Sequence, residues 1–285
     1  MSTRLRFAGY AHRPDAWKRE PGRVLLDVIE RGPEEGSNTL PPVVFLHGLF
    51  GRARNFGFFQ RRLAATRRTL ALDLRNHGAS PHGPMDYPTM AADVHETLAA
   101  HDALPATVIG HSMGGKVAMM LALQAPACVH ALLVADIAPG QGGHAHSGAI
   151  ATALAALHFP PTLTLGEADA WLAPAIAEKP VRDMMKQNIV FGASPHWQIG
   201  LGQIVAGMTQ VVGWPALPPG TQYGGPVLFV AGGNSPYVQP DNYPLMRQLF
   251  PHYRLVRLKG AGHWLHAEQP WEFLRVVTEF LRVTG

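Results

Sequence analysis

A single cysteine, Cys128, among 285 residues leaves no pair for a disulfide within the chain and no cysteine cluster for zinc. It falls between a helical and a strand-like run and reads as a small buried apolar side chain. Charge is sparse, at 15% of residues, and nearly balanced, with 24 Lys and Arg against 20 Asp and Glu for a formal +4. The basic residues are scattered apart from Arg61-Arg62 and Arg67-Arg68, with no aromatic-interleaved stripe, so no nucleic-acid partner is expected. No apolar run approaches a membrane span, because Lys116, Gln124, His130 and Asp136 interrupt the best candidates. Met1 to Glu20 has no apolar core of a secretory signal, and the expectation is a cytoplasmic protein without membrane contact. Internal repeats and low-complexity segments are also missing. What remains is a chain 47% hydrophobic and long enough to bury a large core.

The most informative stretch is Val108-Ile109-Gly110-His111-Ser112-Met113-Gly114-Gly115-Lys116. A β-branched pair runs into Gly-x-Ser-x-Gly, and an apolar helix-forming run, Val117 to Leu123, follows. That is the layout of a nucleophile elbow, a tight strand-to-helix turn that lifts a serine hydroxyl clear of a sheet. A helix starting at Met113 would aim its first N–H groups at negative charge developing on a bound carbonyl oxygen.

Around this turn, short apolar runs alternate with helical ones. Residues 3–31 read as a hairpin, with Leu5 and Phe7 on its first strand and Val24 to Ile29 as its second. Strands are expected at Pro42 to Leu46, Thr69 to Leu72, Ala106 to Ile109, Ala131 to Ala135, Pro226 to Ala231 and Tyr253 to Leu258. Helices are expected at Phe56 to Ala65, Thr89 to His101, residues 241–250 and Trp271 to Arg282. Between Gly140 and about Leu217 no buried-strand run occurs. Ala-rich helical pieces (Ala149 to Leu157, Ala168 to Ala177, Val181 to Val190) stand there instead. The pattern implies an α/β chain whose mostly parallel sheet is flanked by helices, with residues 1–139 and 218–285 as core and 140–217 as an inserted helical lid.

A serine needs a base, and the base an orienting acid, at strand ends in the chain order Ser, acid, His. His263, on the Gly-flanked loop after the last strand, is the best base for Ser112. His77 precedes the serine and sits in a turn rich in bonding partners, so it reads as structural. The position after the penultimate strand, Gly232-Gly233-Asn234-Ser235, has no carboxylate. Asp241 beyond it looks like a helix N-cap. The acid is therefore assigned to Asp136, at the end of the preceding strand, and Ser235 fills the empty corner as a fourth member. His47-Gly48-Leu49-Phe50-Gly51 suits an oxyanion-hole loop, with the N–H of Leu49, or second that of Phe50, beside that of Met113. His47, Gly48, His111 and Trp264 complete the set as candidate substrate contacts.

From Phe45 onward, these motifs, together with Asp73-Leu74-Arg75-Asn76-His77-Gly78, Asp136-Ile137-Ala138-Pro139, Gly233-Asn234-Ser235-Pro236-Tyr237-Val238 and Gly260-Ala261-Gly262-His263-Trp264, resemble α/β-hydrolase-fold esterases. The resemblance is to the bacterial YbfF-like group, related to the mitochondrial α/β-hydrolase 11 type. The insertion matches mainly at Val212-Gly213-Trp214. The resemblance implies the α/β-hydrolase fold, an esterase or thioesterase on small acyl substrates, no cofactor or metal, and the acid after the earlier strand. A monomer or homodimer taking a small-molecule acyl ester or thioester is the expected form. Alternatives are an acyl-CoA thioesterase or carbon–carbon bond hydrolase on the same residues, and a non-catalytic binder of small molecules.

Overall fold

A computed structural model describes residues 24–33, 40–142 and 145–285. The strands are Val28–Arg31 (β1), Val43–Leu46 (β2), Thr69–Leu72 (β3), Ala106–His111 (β4), Val129–Ala135 (β5), Ile189–Val190 (β6), His196–Trp197 (β7), Val227–Gly232 (β8) and Tyr253–Leu258 (β9). All but β6 and β7 join one sheet in the order β1-β3-β2-β4-β5-β8-β9. Every pairing in it is parallel except β1 with β3. β2, β3, β4 and β8 are buried along their whole length, which is why they read as continuous apolar runs. β9 closes the edge; its first four residues alternate half-buried with exposed, and Leu258 at its end is buried.

Strand residues point alternately to two cores. Val43 and Phe45 meet Gly57–Leu63 (α1) and the last helix of the chain, while Val44 and Leu46 meet Tyr87–Ala100 (α2) and Met113–Gln124 (α3). α2 begins where Asp86 caps the N–H of Thr89 at 2.8 Å, with Pro88 in the first turn. The insertion carries Ala145–Ala155 (α4), Ala168–Leu172 (α5), Lys179–Lys186 (α6) and Leu201–Val212 (α7), with the antiparallel pair β6–β7. After β8 come Tyr243–Leu249 (α8), Leu265–Glu268 (α9) and Pro270–Thr284 (α10).

Four expectations need correction. The strand expected from Val24 starts only at Val28, because side chains of α2 and of the turn between β3 and α2 take the main-chain N–H groups before it. Asp93 receives that of Val24, Thr97 that of Leu26, and Ser80 that of Asp27. Its expected hairpin partner around Leu5 and Phe7 lies outside the described residues. Helix α6 stops at Lys186, so Ile189 and Val190 form a strand and not the helix end. Helix α7 was not foreseen, since Gly202 and Gly207 weaken its helical signal. Cys128 is half-buried at the mouth of β5, not fully enclosed.

Lys116, on α3, is fully buried. Its Nζ donates to the carbonyls of Gly140 (2.8 Å) and Gly213 (3.1 Å), joining the two stems of the insertion. Burial lowers its pKa to about 8.

The crossing of α3 over β2 leaves no room at Gly114: an added Cβ would lie 2.5 Å from the carbonyl oxygen of His47 and nearer still to that of Leu46. At Gly202, on the exposed side of α7, a Cβ would meet nothing within 4 Å. Gly114→Ala should therefore cost about 3 kcal/mol of folding stability or more. Gly202→Ala should be neutral or stabilising by up to about 1 kcal/mol. Urea unfolding of the two variants beside wild type measures both.

Candidate active site

Strand β4 ends at His111 and α3 begins at Met113, which leaves Ser112 alone in the turn at φ 53° and ψ −121°. Main-chain bonds hold that strained conformation: Ser112 N–H to Ala135 C=O (2.9 Å), and the N–H groups of Gly115 (2.8 Å) and Lys116 (3.1 Å) to Ser112 C=O. The hydroxyl faces His263, with Nε2 3.0 Å from Oγ. On the other side of the ring, Nδ1 lies 2.8 Å from Asp136 Oδ2. A proton on Nδ1 donates to the carboxylate and leaves the Nε2 lone pair facing the serine O–H.

Asp136 follows β5 directly, at φ 52° and with no solvent exposure. Its Oδ1 accepts the N–H of Gly232 at 2.8 Å, and its Oδ2 accepts the hydroxyl of Ser235 in a short hydrogen bond. Ser235 thus occupies the corner after β8 and completes a four-residue set. Asp241 is exposed in a 3₁₀ turn, Pro240–Asn242, ahead of α8. It is not the N-cap expected of it: Asn242 Oδ1 receives the Gln239 N–H (2.8 Å) and Asn242 itself precedes α8.

Tyr237 and Glu268, which the sequence did not single out, brace His263 together with His111. The ring of Tyr237 stacks on it with centroids 3.9 Å apart. Both oxygens of Glu268 accept main-chain N–H groups flanking it, from Gly262 (2.6 Å) and Trp264 (3.2 Å). His111 Nε2–H donates to its carbonyl at 2.8 Å, and His266 packs on His111 with centroids 4.3 Å apart. Desolvation, then the proximity of His263, lowers His266 to about 4.

The loop after β2 makes a turn closed by Gly51 N–H to Gly48 C=O at 2.9 Å, with Phe50 at φ 63°. Phe50 N–H donates to His77 Nε2 at 3.1 Å, and His77 Nδ1–H donates to Arg75 C=O at 2.9 Å. His77 is structural, as expected, and the Phe50 N–H, the second choice for the oxyanion, is already committed. Among the described residues no acceptor meets the N–H of Leu49 or of Met113. His47 faces the cavity with its ring alone. Its Nε2 accepts Leu74 N–H (2.9 Å) and its Nδ1–H donates to Gly48 C=O (2.8 Å), so neither ring nitrogen is left for substrate. Its ring still forms wall. Burial lowers the pKa of His47, and that of His77 to about 3.

A cavity of about 670 Å³ opens on Ser112 and His263; Gly48, Leu49, His111 and Trp264 also border it. Ile150 of α4 and Val181 and Met184 of α6 bring the insertion into its wall. Among the described residues no group of three or more His, Cys, Asp or Glu side chains is placed to hold a metal.

A mostly parallel sheet presenting a serine, a histidine and an aspartate in one hydrogen-bonded line at its carboxyl edge defines an α/β hydrolase. The chain belongs to the alpha/beta hydrolase family of enzymes, whose model matches residues 43–275. It is 38% identical to the mouse sn-1-specific diacylglycerol lipase ABHD11 over 87% of this chain and 83% of that one. With esterase YbfF of Escherichia coli strain K12 it shares 36% identity over 84% of this chain and 92% of the other. Among solved structures, a marine microorganism esterase superposes with a TM-score of 0.83 at 32% identity, covering 90% of this chain and 99% of that one. The resemblance to the YbfF-like group holds over most of the chain.

Two histidines kept neutral by burial make stability pH-dependent. The folded values of His77 and His266 lie at about 3 and about 4, against an ordinary 6.5. Below pH 6.5 the unfolded chain binds protons that the folded chain does not, so stability should fall on acidification. Between pH 6.5 and 5, above the carboxylate range, each histidine should cost up to about 1.4 kcal/mol per pH unit. The loss should be shallower in His77→Gln, as read from urea unfolding across that window.

Proposed function

We propose that the protein is a serine carboxylic-ester hydrolase that turns over small or medium acyl esters through an acyl-enzyme. The observation that carries this reading is the in-line set Ser112–His263–Asp136, at 3.0 Å and 2.8 Å, with the serine raised on a strained elbow. Ser112 Oγ attacks the acyl carbonyl while His263 Nε2 takes its proton. The tetrahedral oxyanion is held by the N–H groups of Met113 and Leu49. His263 returns the proton to the leaving alcohol as the C–O bond breaks. Water, deprotonated by the same nitrogen, attacks the acyl-enzyme and releases the acid and Ser112. Asp136 keeps the Nδ1–H tautomer and balances the imidazolium, with Ser235 and Gly232 fixing the carboxylate.

Residues 140–217 serve as a lid over the core formed by 1–139 and 218–285, since α4 and α6 supply one wall of the cavity. Among the described residues, the mainly apolar lining includes the carboxylates Asp183 and Glu268 but no Lys or Arg. That favours an uncharged ester over the polyanionic leaving group of a CoA thioester. The names esterase and lipase borne by the relatives point the same way. No helix of the described chain is long and apolar enough to cross a membrane, and a cytoplasmic site of action fits the composition.

A fluorophosphonate probe should label the wild-type protein and leave Ser112→Ala unlabelled; equal labelling of the two would remove Ser112 as nucleophile. On one short ester, Asp136→Asn should lower kcat about 10⁴-fold, through the wrong histidine tautomer. Ser235→Ala should lower it by only about tenfold, the scale of one net hydrogen bond, and Asp241→Asn should match wild type. A severe lesion at Asp241 with a mild one at Asp136 would overturn the assignment of the acid.

A further inference from the structure

The oxyanion turn is held from two sides, and one side belongs to the insertion. Phe50 occupies the left-handed region at φ 63°, a conformation that costs a residue with a Cβ about 1 kcal/mol or more. Core residues fix its N–H, through His77. Its carbonyl is fixed by Asn188, whose Nδ2 donates to Phe50 C=O at 2.8 Å across 138 residues of chain. Asn188 is buried, and its own main chain is anchored within the insertion. Its N–H donates to Met185 C=O at the end of α6 (2.9 Å), and its C=O accepts the N–H of Gln198 beside β7 (2.8 Å). Arg52, just after the turn, adds bonds to Gln187 C=O (2.6 Å) and Gln198 Oε1 (3.3 Å).

We propose that Asn188 is a positioning residue through which the insertion keeps the Gly48–Gly51 turn in the shape that presents Leu49 N–H, so that the oxyanion hole is complete only while the 187–198 segment is docked. The proposal rests on the ester-hydrolase reading. A side chain that touches neither the substrate nor the serine then affects the transition state and not the bound ester. Without its donor, the Phe50 peptide is free to relax from the left-handed region, and the Leu49 N–H swings away from the oxyanion.

Asn188→Ala should lower kcat by about 10- to 100-fold, short of the loss of a whole oxyanion donor, with KM within about twofold. Affinity for an alkyl trifluoromethyl ketone reports the same interaction. Serine adds to the carbonyl carbon of this probe, and its proton passes to His263, leaving an oxyanion in the hole. The Ki should rise in step with the fall in kcat/KM, while inhibition by the product acid stays unchanged. Tyr87→Phe, which removes a bond between the core and the insertion at Val211 C=O, away from the 187–198 segment and from Phe50, should match wild type. Asn188→Asp serves if the alanine variant does not fold. A carboxyl at that position donates to Phe50 only when protonated, so the activity of this variant relative to wild type should rise as pH falls from 8 to 6. Wild-type kcat and Ki in the Asn188 variants, or a raised KM with kcat untouched, overturns the proposal. A wild-type protein that neither hydrolyses esters nor binds the ketone overturns the ester-hydrolase reading itself.

Discussion

A carboxyl group with no access to water must be hydrogen-bonded around its rim or lose several kcal/mol to desolvation. Asp136 is such a group. Its Oδ1 takes the N–H at the end of β8, and its Oδ2 takes both the Ser235 hydroxyl and the His263 ring. The carboxyl ends of β5, β8 and β9 are thereby tied at one point. His263 receives its tautomer from that tie, and Ser112 receives its acceptor from His263. The bonds share one buried carboxylate, which couples the Ser112–His263 pair to the closure of the sheet.

Backbone strain is concentrated at the same edge. Phe50, Ser112 and Asp136 all have positive φ, each within a few residues of a strand end. A left-handed non-glycine residue persists only where its surroundings over-determine it. Here the bonds of Ser112 to Ala135, of Phe50 to His77, and of Asp136 N–H to Val230 C=O (2.8 Å) do so. His47 and His77 act within this frame as neutral bolts between the loops after β2 and β3, one ring nitrogen accepting and the other donating. Their burial keeps them neutral, so they hold the Gly48–Gly51 turn without adding charge beside Ser112.

Among the described bonds that join the insertion to this frame, two stand at opposite ends of it. Lys116 gathers the carbonyls of both stems beneath α3, and Asn188 reaches the Gly48–Gly51 turn at the far end. A segment that contributes wall to the cavity is therefore mechanically linked to both sides of the elbow. Variation of α4 and α6 alters the wall, through Ile150, Val181 and Met184, without disturbing Asp136 or His263.

The sequence alone determined which runs become the strands of the sheet, the tight turn at Ser112 and the placing of Asp136 and His263 at later strand ends, because each rests on local features. Those features are continuous apolar runs for doubly covered strands, glycines where a second backbone crosses, and a strand end before each functional loop. Asp136 was legible because the later strand end carries Ser235 and no carboxylate. Tertiary structure decided what local pattern does not encode. Side chains of α2 and the Asp73–Ser80 turn cut β1 short by taking its N–H groups. The commitment of Phe50 N–H to His77 leaves the Leu49 N–H as the uncommitted one of the pair, and the embedding of His47 between two main-chain groups leaves only its ring facing the cavity. Tyr237, Glu268 and Asn188 reach the site only because the fold brings them there. A hydrogen bond spanning 138 residues leaves no trace in spacing or periodicity, since nothing in the chain around either partner depends on the other until both are packed.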